Sequence, residues 1–237
     1  MMNISMKSLK NGTVLIVADI GKLHESIGSC SQDSYAYCQN GKNDCAFAVA
    51  DGVSTCQNAK AGSFFAVRTV CDLLGSIENE TVTDIKKKIV SFWKKTVASQ
   101  WNDYGTTLNF VYVFGDKIIV GKIGDGIAMA KLKDNLIFIC DDAPFYTNET
   151  FALGERVPSS AFEVQEISLD NASFVDVLLM TDGIAKEIDV SLLPEFMQYI
   201  SGNYLDKKFT KELEHWILEL NKKNNDDKTL LFAHIAR

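Results

Sequence analysis

Three apolar runs in this chain stop at the same dipeptide. Phe47-Ala48-Val49-Ala50 ends on Asp51-Gly52, Leu178-Leu179-Met180-Thr181 on Asp182-Gly183, and Lys122-Ile123-Gly124 on Asp125-Gly126. A fourth acidic point, Asp226-Asp227, precedes Thr229-Leu230-Leu231-Phe232, and Asp33 opens another strand-like stretch. Any one Asp-Gly pair also makes an ordinary turn. Together, strands that carry carboxylates to their tips are a way to build a hard-cation site. If the loops bearing Asp33, Asp51, Asp125, Asp182 and Asp226 converge, repulsion raises their pKa values unless a cation compensates. Mg²⁺ and Mn²⁺ prefer such oxygen ligands and keep several waters. Zinc is disfavoured because no Cys/His ligand cluster is present. Gly52 leaves its backbone carbonyl clear to turn toward a metal. Two ions about 4 Å apart would bind a phosphoryl oxygen, orient a bridging water and lower that water's pKa. No protein nucleophile is then needed, and the chain has neither a G-x-S-x-G elbow nor a C-x5-R phosphate loop.

The elements that must position these residues alternate in period. Val14–Ala18 reads as a strand. Ser34–Gln39 and Cys45–Ala50 read as a hairpin around Asn40-Gly41-Lys42-Asn43, where Asn and Gly tolerate positive φ. From Gln57 to Leu74 the period becomes helical, with Phe64, Val67, Cys71 and Leu74 on one face. Thr81-Val82-Thr83-Asp84 has the form of a capping box ahead of a Val82/Ile85/Ile89/Phe92/Trp93 stripe. Lys86, Lys87, Lys94 and Lys95 then form a solvated face. Leu108–Phe114, Lys117–Ile123, Ile127–Leu132 and Leu136–Cys140 read as an antiparallel meander, with turns at Gly115-Asp116 and Asp134-Asn135. After a polar stretch, Asp141–Ser160, come strands Phe162–Leu169 and Val175–Thr181, helices Ser191–Ile200 and Thr210–Asn221, and a last strand, Lys228–Ile235. Two helix pairs inserted between blocks of strands predict an α+β fold. Two antiparallel sheets cover each other and the helix pairs cover their outer faces, giving a four-layer α–β–β–α sandwich.

The 237 residues, with three prolines and no visible repeat or low-complexity tract, are read as a single domain, 1–237. A net charge of −7 without a basic block makes nucleic acid a poor partner. No stretch approaches the ~20 apolar residues that span a bilayer. The six cysteines lack C-x-x-C spacing and read as reduced thiols. The expectation is a soluble, cytoplasmic monomer with no membrane partner.

The ordered motifs carry a more specific reading. Ser31-Gln32-Asp33, Ala48-Val49-Ala50-Asp51-Gly52-Val53-Ser54, Gly105-Thr106-Thr107, Ile123-Gly124-Asp125-Gly126, Met180-Thr181-Asp182-Gly183 and Asp226-Asp227-Lys228-Thr229 follow one another in a pattern that resembles the metal-dependent serine/threonine protein phosphatases of the type 2C class, most closely their compact bacterial branch. His24 through Asp33 and Asn148-Glu149-Thr150 add to the likeness, which runs from about His24 to Leu231. The resemblance implies the same sandwich and a phosphoprotein substrate. It also implies Mn²⁺ or Mg²⁺ as cofactor, as two ions with a third, weaker site. Asp51 would bridge both metals and the Gly52 carbonyl would hold one. Asp182 and Asp226 would ligate the second, and Asp33 would serve as ligand or hold metal-bound waters. Asp33, Asp51 and Asp182 form the catalytic set, Asp125 would share the third ion with Asp182, and Gly105-Thr106-Thr107 would be a structural turn. Asp227 stands where the family commonly has asparagine, so either Asp226 or Asp227 is the ligand, with register favouring Asp226. Gly28 stands where the family often has a phosphate-binding arginine. His24, Lys22 or Arg156, the last within the variable flap Asp141–Ser160, are the replacements. Two alternatives stand beside phosphoserine/phosphothreonine hydrolysis. One is a catalytically weak phosphoprotein-binding module of the same fold, and the other a hydrolase of small phosphate esters.

Overall fold

The structure, a computed structural model, describes residues 2–77, 80–98, 100–132, 135–139, 151–157, 159–169 and 172–237. Its elements run β1 (Asn3–Leu9), β2 (Gly12–Asp19), α1 (Lys22–Ser26), β3 (Asp33–Gln39), β4 (Cys45–Asp51), α2 (Ala59–Leu73), α3 (Val82–Thr96), β5 (Leu108–Phe114), β6 (Lys117–Ile123), β7 (Ile127–Leu132), β8 (Asn135–Ile139), β9 (Phe162–Ser168), β10 (Phe174–Met180), α4 (Asp182–Ala185), α5 (Leu193–Asn203), α6 (Lys207–Lys223) and β11 (Lys228–Ala236). They build a six-stranded sheet, β1-β2-β11-β10-β7-β8, and a five-stranded sheet, β3-β4-β5-β6-β9. All pairings are antiparallel.

Alternation along the strands decides what each face buries. Val14, Ile16, Val177, Leu179 and Leu231 of the larger sheet meet Phe47, Val49, Val111 and Val120 of the smaller one, forming the central core. The opposite parity of the smaller sheet, Ala46, Ala48, Phe110 and Tyr112, packs on α2 and α3. That of the larger sheet, Leu15, Val17, Leu178, Met180 and Phe232, packs on α5 and α6. The four-layer sandwich expected from the sequence is therefore observed.

Three details differ from the sequence reading. The meander is broken: β6 pairs with β9 while β7 pairs with β10 and β8, so the chain changes sheets between Ile123 and Ile127. Gly124 (φ 86°) and Gly126 (φ 105°) make that crossing possible, in a backbone region that favours glycine. Strand β1 was not anticipated, because its half-exposed, polar sequence is that of an edge strand. The buried face of α2 is rotated from the expected stripe. Gly62, Ser63, Ala66, Val67 and Val70 face inward while Phe64 is 50% exposed, since small residues let the helix sit close to the sheet. In the β3–β4 hairpin Asn43 takes a positive φ, 68°, in keeping with the turn chemistry of Asn40-Gly41-Lys42-Asn43. The capping box on α3 forms as expected. Asn148-Glu149-Thr150, Cys140, Asp134 and most of the flap lie outside the described residues.

One buried polar group anchors α5 to the larger sheet. Asp176, fully buried on β10, lies 2.6 Å from His234 Nδ1 and accepts a hydrogen bond from Ser201 Oγ at 2.5 Å. Tyr204 stacks on the His234 ring. His234→Ala strips the buried carboxylate of its main partner and is expected to cost about 3 kcal/mol in urea denaturation. Replacing both residues with apolar ones should recover most of that loss.

Candidate metal centre

The change of sheet at Gly124–Gly126 brings every motif aspartate to one end of the sandwich. Asp33 begins β3 and Asp51 ends β4, directly opposite each other in register. Asp182 follows β10, Asp226 precedes β11 and Asp125 sits on the crossing, so the carboxylates come from both sheets. The set is electrostatically one group. Burial raises the Asp33 carboxyl to about 7, with Asp227 and Asp182 adding to the rise and the Thr181 hydrogen bond opposing it. Burial also lifts Asp51 well above the carboxylate range, reinforced by Asp33, Asp182 and Asp125. Asp182 is raised by burial, then by Asp125, while Lys186 pulls it down.

Backbone and hydroxyl contacts fix the positions. The Asp51 N–H donates to Thr107 Oγ1 (2.9 Å), and the Asp51 carbonyl accepts from Thr107 N (2.8 Å) and Thr106 Oγ1 (2.9 Å). Gly105-Thr106-Thr107 is thus the clamp on Asp51, a stronger role than the turn expected of it. A side chain at Gly52 would place its Cβ 2.3 Å from the Ala59 carbonyl, so close approach of α2 is what requires glycine there. Thr181 ties the sheets together: its hydroxyl donates to Asp33 Oδ2 at 2.7 Å and accepts from Thr229 N at 3.0 Å. Below the crossing, the buried Lys122 ammonium donates to the Gly126 carbonyl at 3.1 Å. Thr181 and Lys122 escaped the sequence reading because a strand Thr or Lys carries no local sign of the group it will hold.

The two C-terminal aspartates separate cleanly. Asp227 is buried and satisfied: Oδ1 accepts from Gly21 N, and Oδ2 from Gln32 N, both at 2.6 Å, with His24 Nδ1 2.8 Å from Oδ2. Asp226 is exposed, and its backbone carbonyl accepts from Lys228 Nζ at 2.8 Å. Of the proposed phosphate contacts, His24 has one ring nitrogen committed to Asp227, while Lys22 and Arg156 are exposed.

Two observations bear on whether these residues suit a hard cation. Asp33 Oδ1 is buried with no hydrogen-bond partner, an orphan acceptor aimed into an acidic cluster. Against this, no group of three His, Cys, Asp or Glu side chains among the described residues is closed up enough to hold an ion as it stands. The Lys186 ammonium lies among these carboxylates, hydrogen-bonded to Asp182 and 3.7 Å from Asp125 Oδ2. An all-oxygen, charge-dense set that repels itself fits a cation that keeps much of its water. A cleft of about 550 Å³, lined by Asn11, Asp44, Gly115 and Arg237, opens at the opposite end of the sandwich.

No curated protein matches the chain in sequence. The structure of RsbX in complex with magnesium is similar with a TM-score of 0.68 at 13% identity, over 99% of this chain and 100% of RsbX. Serine/threonine phosphatase Stp1 from Staphylococcus aureus gives 0.67 at 15%, over 98% and 99%. The catalytic domain of serine threonine protein phosphatase PstP in complex with two manganese ions gives 0.65 at 16%, over 99% and 100%. At these identities the likeness establishes the fold. The sequence model of protein phosphatase 2C matches residues 20–218, most of the chain, and with the ordered aspartates at one edge of the sandwich it shows that this chain belongs to the protein phosphatase 2C family.

Proposed function

We propose that the chain is a phosphoprotein phosphatase that removes phosphate from phosphoserine or phosphothreonine with Mn²⁺ or Mg²⁺ at the carboxylate edge. The observation that carries this reading is the orphaned, buried Asp33 Oδ1 within a self-repelling cluster drawn from both sheets. When bound, such ions supply Lewis acidity toward a phosphoryl oxygen and lower the pKa of a coordinated water.

The chain's own residues do the rest. Asp51 and the Gly52 carbonyl, with Asp182 and Asp226, are the proposed ligands. Asp33, held by Thr181, orients water or ligates directly. Thr106 and Thr107 fix the Asp51 backbone so that its carboxylate needs little reorganisation. Asp227 is assigned a positioning role, because its two oxygens are spent on Gly21, Gln32 and His24. Lys22, exposed beside His24, is the better placed of the two to meet a phosphate dianion in place of the arginine that Gly28 replaces.

The rim supports a protein substrate. Leu23 and Ile27, at α1, are 60% and 69% exposed, and Phe151, beside the Gly124 crossing, is 57% exposed. A small ester would have no use for that apolar surface, whereas a polypeptide would cover it. The test is phosphate release from a phosphoserine peptide and from a small aryl phosphate, with Mn²⁺ and with chelator. We expect Mn²⁺-dependent release from both, with kcat/KM higher for the peptide. Release from the aryl ester alone would favour the small-ester hydrolase. Metal binding without release from either would favour the binding module.

A further inference from the structure

Lys186 stands at the end of α4, where its N–H donates to the Asp182 carbonyl at 3.0 Å and completes one helical turn. That turn folds its side chain back over the residue four positions earlier. The ammonium therefore meets the Asp182 carboxylate, to which it is hydrogen-bonded, and lies 3.7 Å from Asp125 Oδ2. These two aspartates come from separate segments, the strand β10 terminus and the crossing between sheets. The ammonium thus sits between two carboxylates of like charge. Its side chain is 37% exposed, while those of Asp182 and Asp125 are 13% and 18% exposed, so the cation reaches inward from solvent on a flexible stem.

We propose that Lys186 is a tethered counter-ion: it neutralises the Asp125–Asp182 end of the cluster when metal is absent and competes with a divalent ion for that end. The inference rests on reading the cluster as a cation centre and adds a built-in rival for one part of it. An ammonium held by the backbone loses no translational freedom on pairing, so it displaces a weakly held ion more easily than a strongly held one. The consequence is a protein that fills its tighter ion positions while the Asp125–Asp182 position stays with lysine. Removing the lysine should open that position.

The experiment counts bound Mn²⁺ by the electron paramagnetic resonance signal of the free ion, in wild type, K186M, K186Q and K186R. The neutral variants should bind one more Mn²⁺ than wild type, or bind their weakest ion about tenfold more tightly. K186R, which keeps the charge, should behave as wild type. In chelator, K186M and K186Q should melt below wild type, and Mn²⁺ should remove the difference. Equal Mn²⁺ count and affinity in all four proteins would overturn the role given to Lys186 and leave the cation centre standing. Absence of Mn²⁺ binding in all four would overturn both.

Discussion

Asp51→Asn is expected to lower Mn²⁺-dependent hydrolysis of an aryl phosphate by at least about 10³-fold, a loss larger than the 10–100-fold typical of residues that only support a ligand. Asparagine keeps the shape of the side chain and loses its charge. The backbone clamp from Thr106 and Thr107 is untouched, so the loss would belong to the carboxylate. Stability should move the other way. Burial and the neighbouring Asp33 and Asp182 make a charged Asp51 unfavourable without metal. The neutral variant should therefore melt higher than wild type in chelator, and a gain of about 1 kcal/mol would appear as roughly 2–4 °C. A variant that is both dead and more stable cannot be explained by misfolding. Near-normal turnover in Asp51→Asn would remove Asp51 from the centre.

The second large effect is on pH. In the metal-free protein Asp33 titrates at about 7, raised chiefly by burial, against an unfolded value of about 4. Asp51 and Asp182 are shifted in the same direction. Between these values the folded state binds more protons than the unfolded state, so stability falls as pH rises. For Asp33 that contribution is complete below pH about 4 and gone above pH about 7, and Asp51 and Asp182 add to it in the same direction. Thermal melts in chelator should therefore decline from pH 5 to pH 8. Saturating Mn²⁺ should reverse the slope, since the metal binds only the deprotonated carboxylates and stabilises the folded state by mass action. A metal-free melting temperature that rises through that window would contradict the burial of these groups.

The aspartates were legible because their signal is local: an apolar strand that stops at Asp-Gly needs no knowledge of the rest of the fold. The helix pairs and most strand boundaries were legible for the same reason. What the sequence hid is tertiary. Nothing in Lys117–Leu132 says that β6 and β7 belong to different sheets, because the crossing at Gly124–Gly126 looks like a hairpin turn. Thr107 reads as part of a structural turn and Thr181 as the end of a strand, although one holds Asp51 and the other holds Asp33. Lys186 drew no role from the sequence, since α4 is too short to show a face. The proposal of Asp226 over Asp227 leans on three partners of Asp227 drawn from residues 21–32, some 200 positions away in the chain.

The Thr181–Asp33 hydrogen bond joins a residue at the tip of one sheet to a residue at the tip of the other. Chemistry at this edge is therefore a property of a seam, and neither layer owns half of it. Severing the chain between β6 and β7 would leave two incomplete acidic fringes, each stripped of the opposing carboxylates. The closeness of docking between the layers, set by side chains such as Phe47 and Leu179 far beneath the surface, then tunes the spacing of the acids as surely as any residue that touches them.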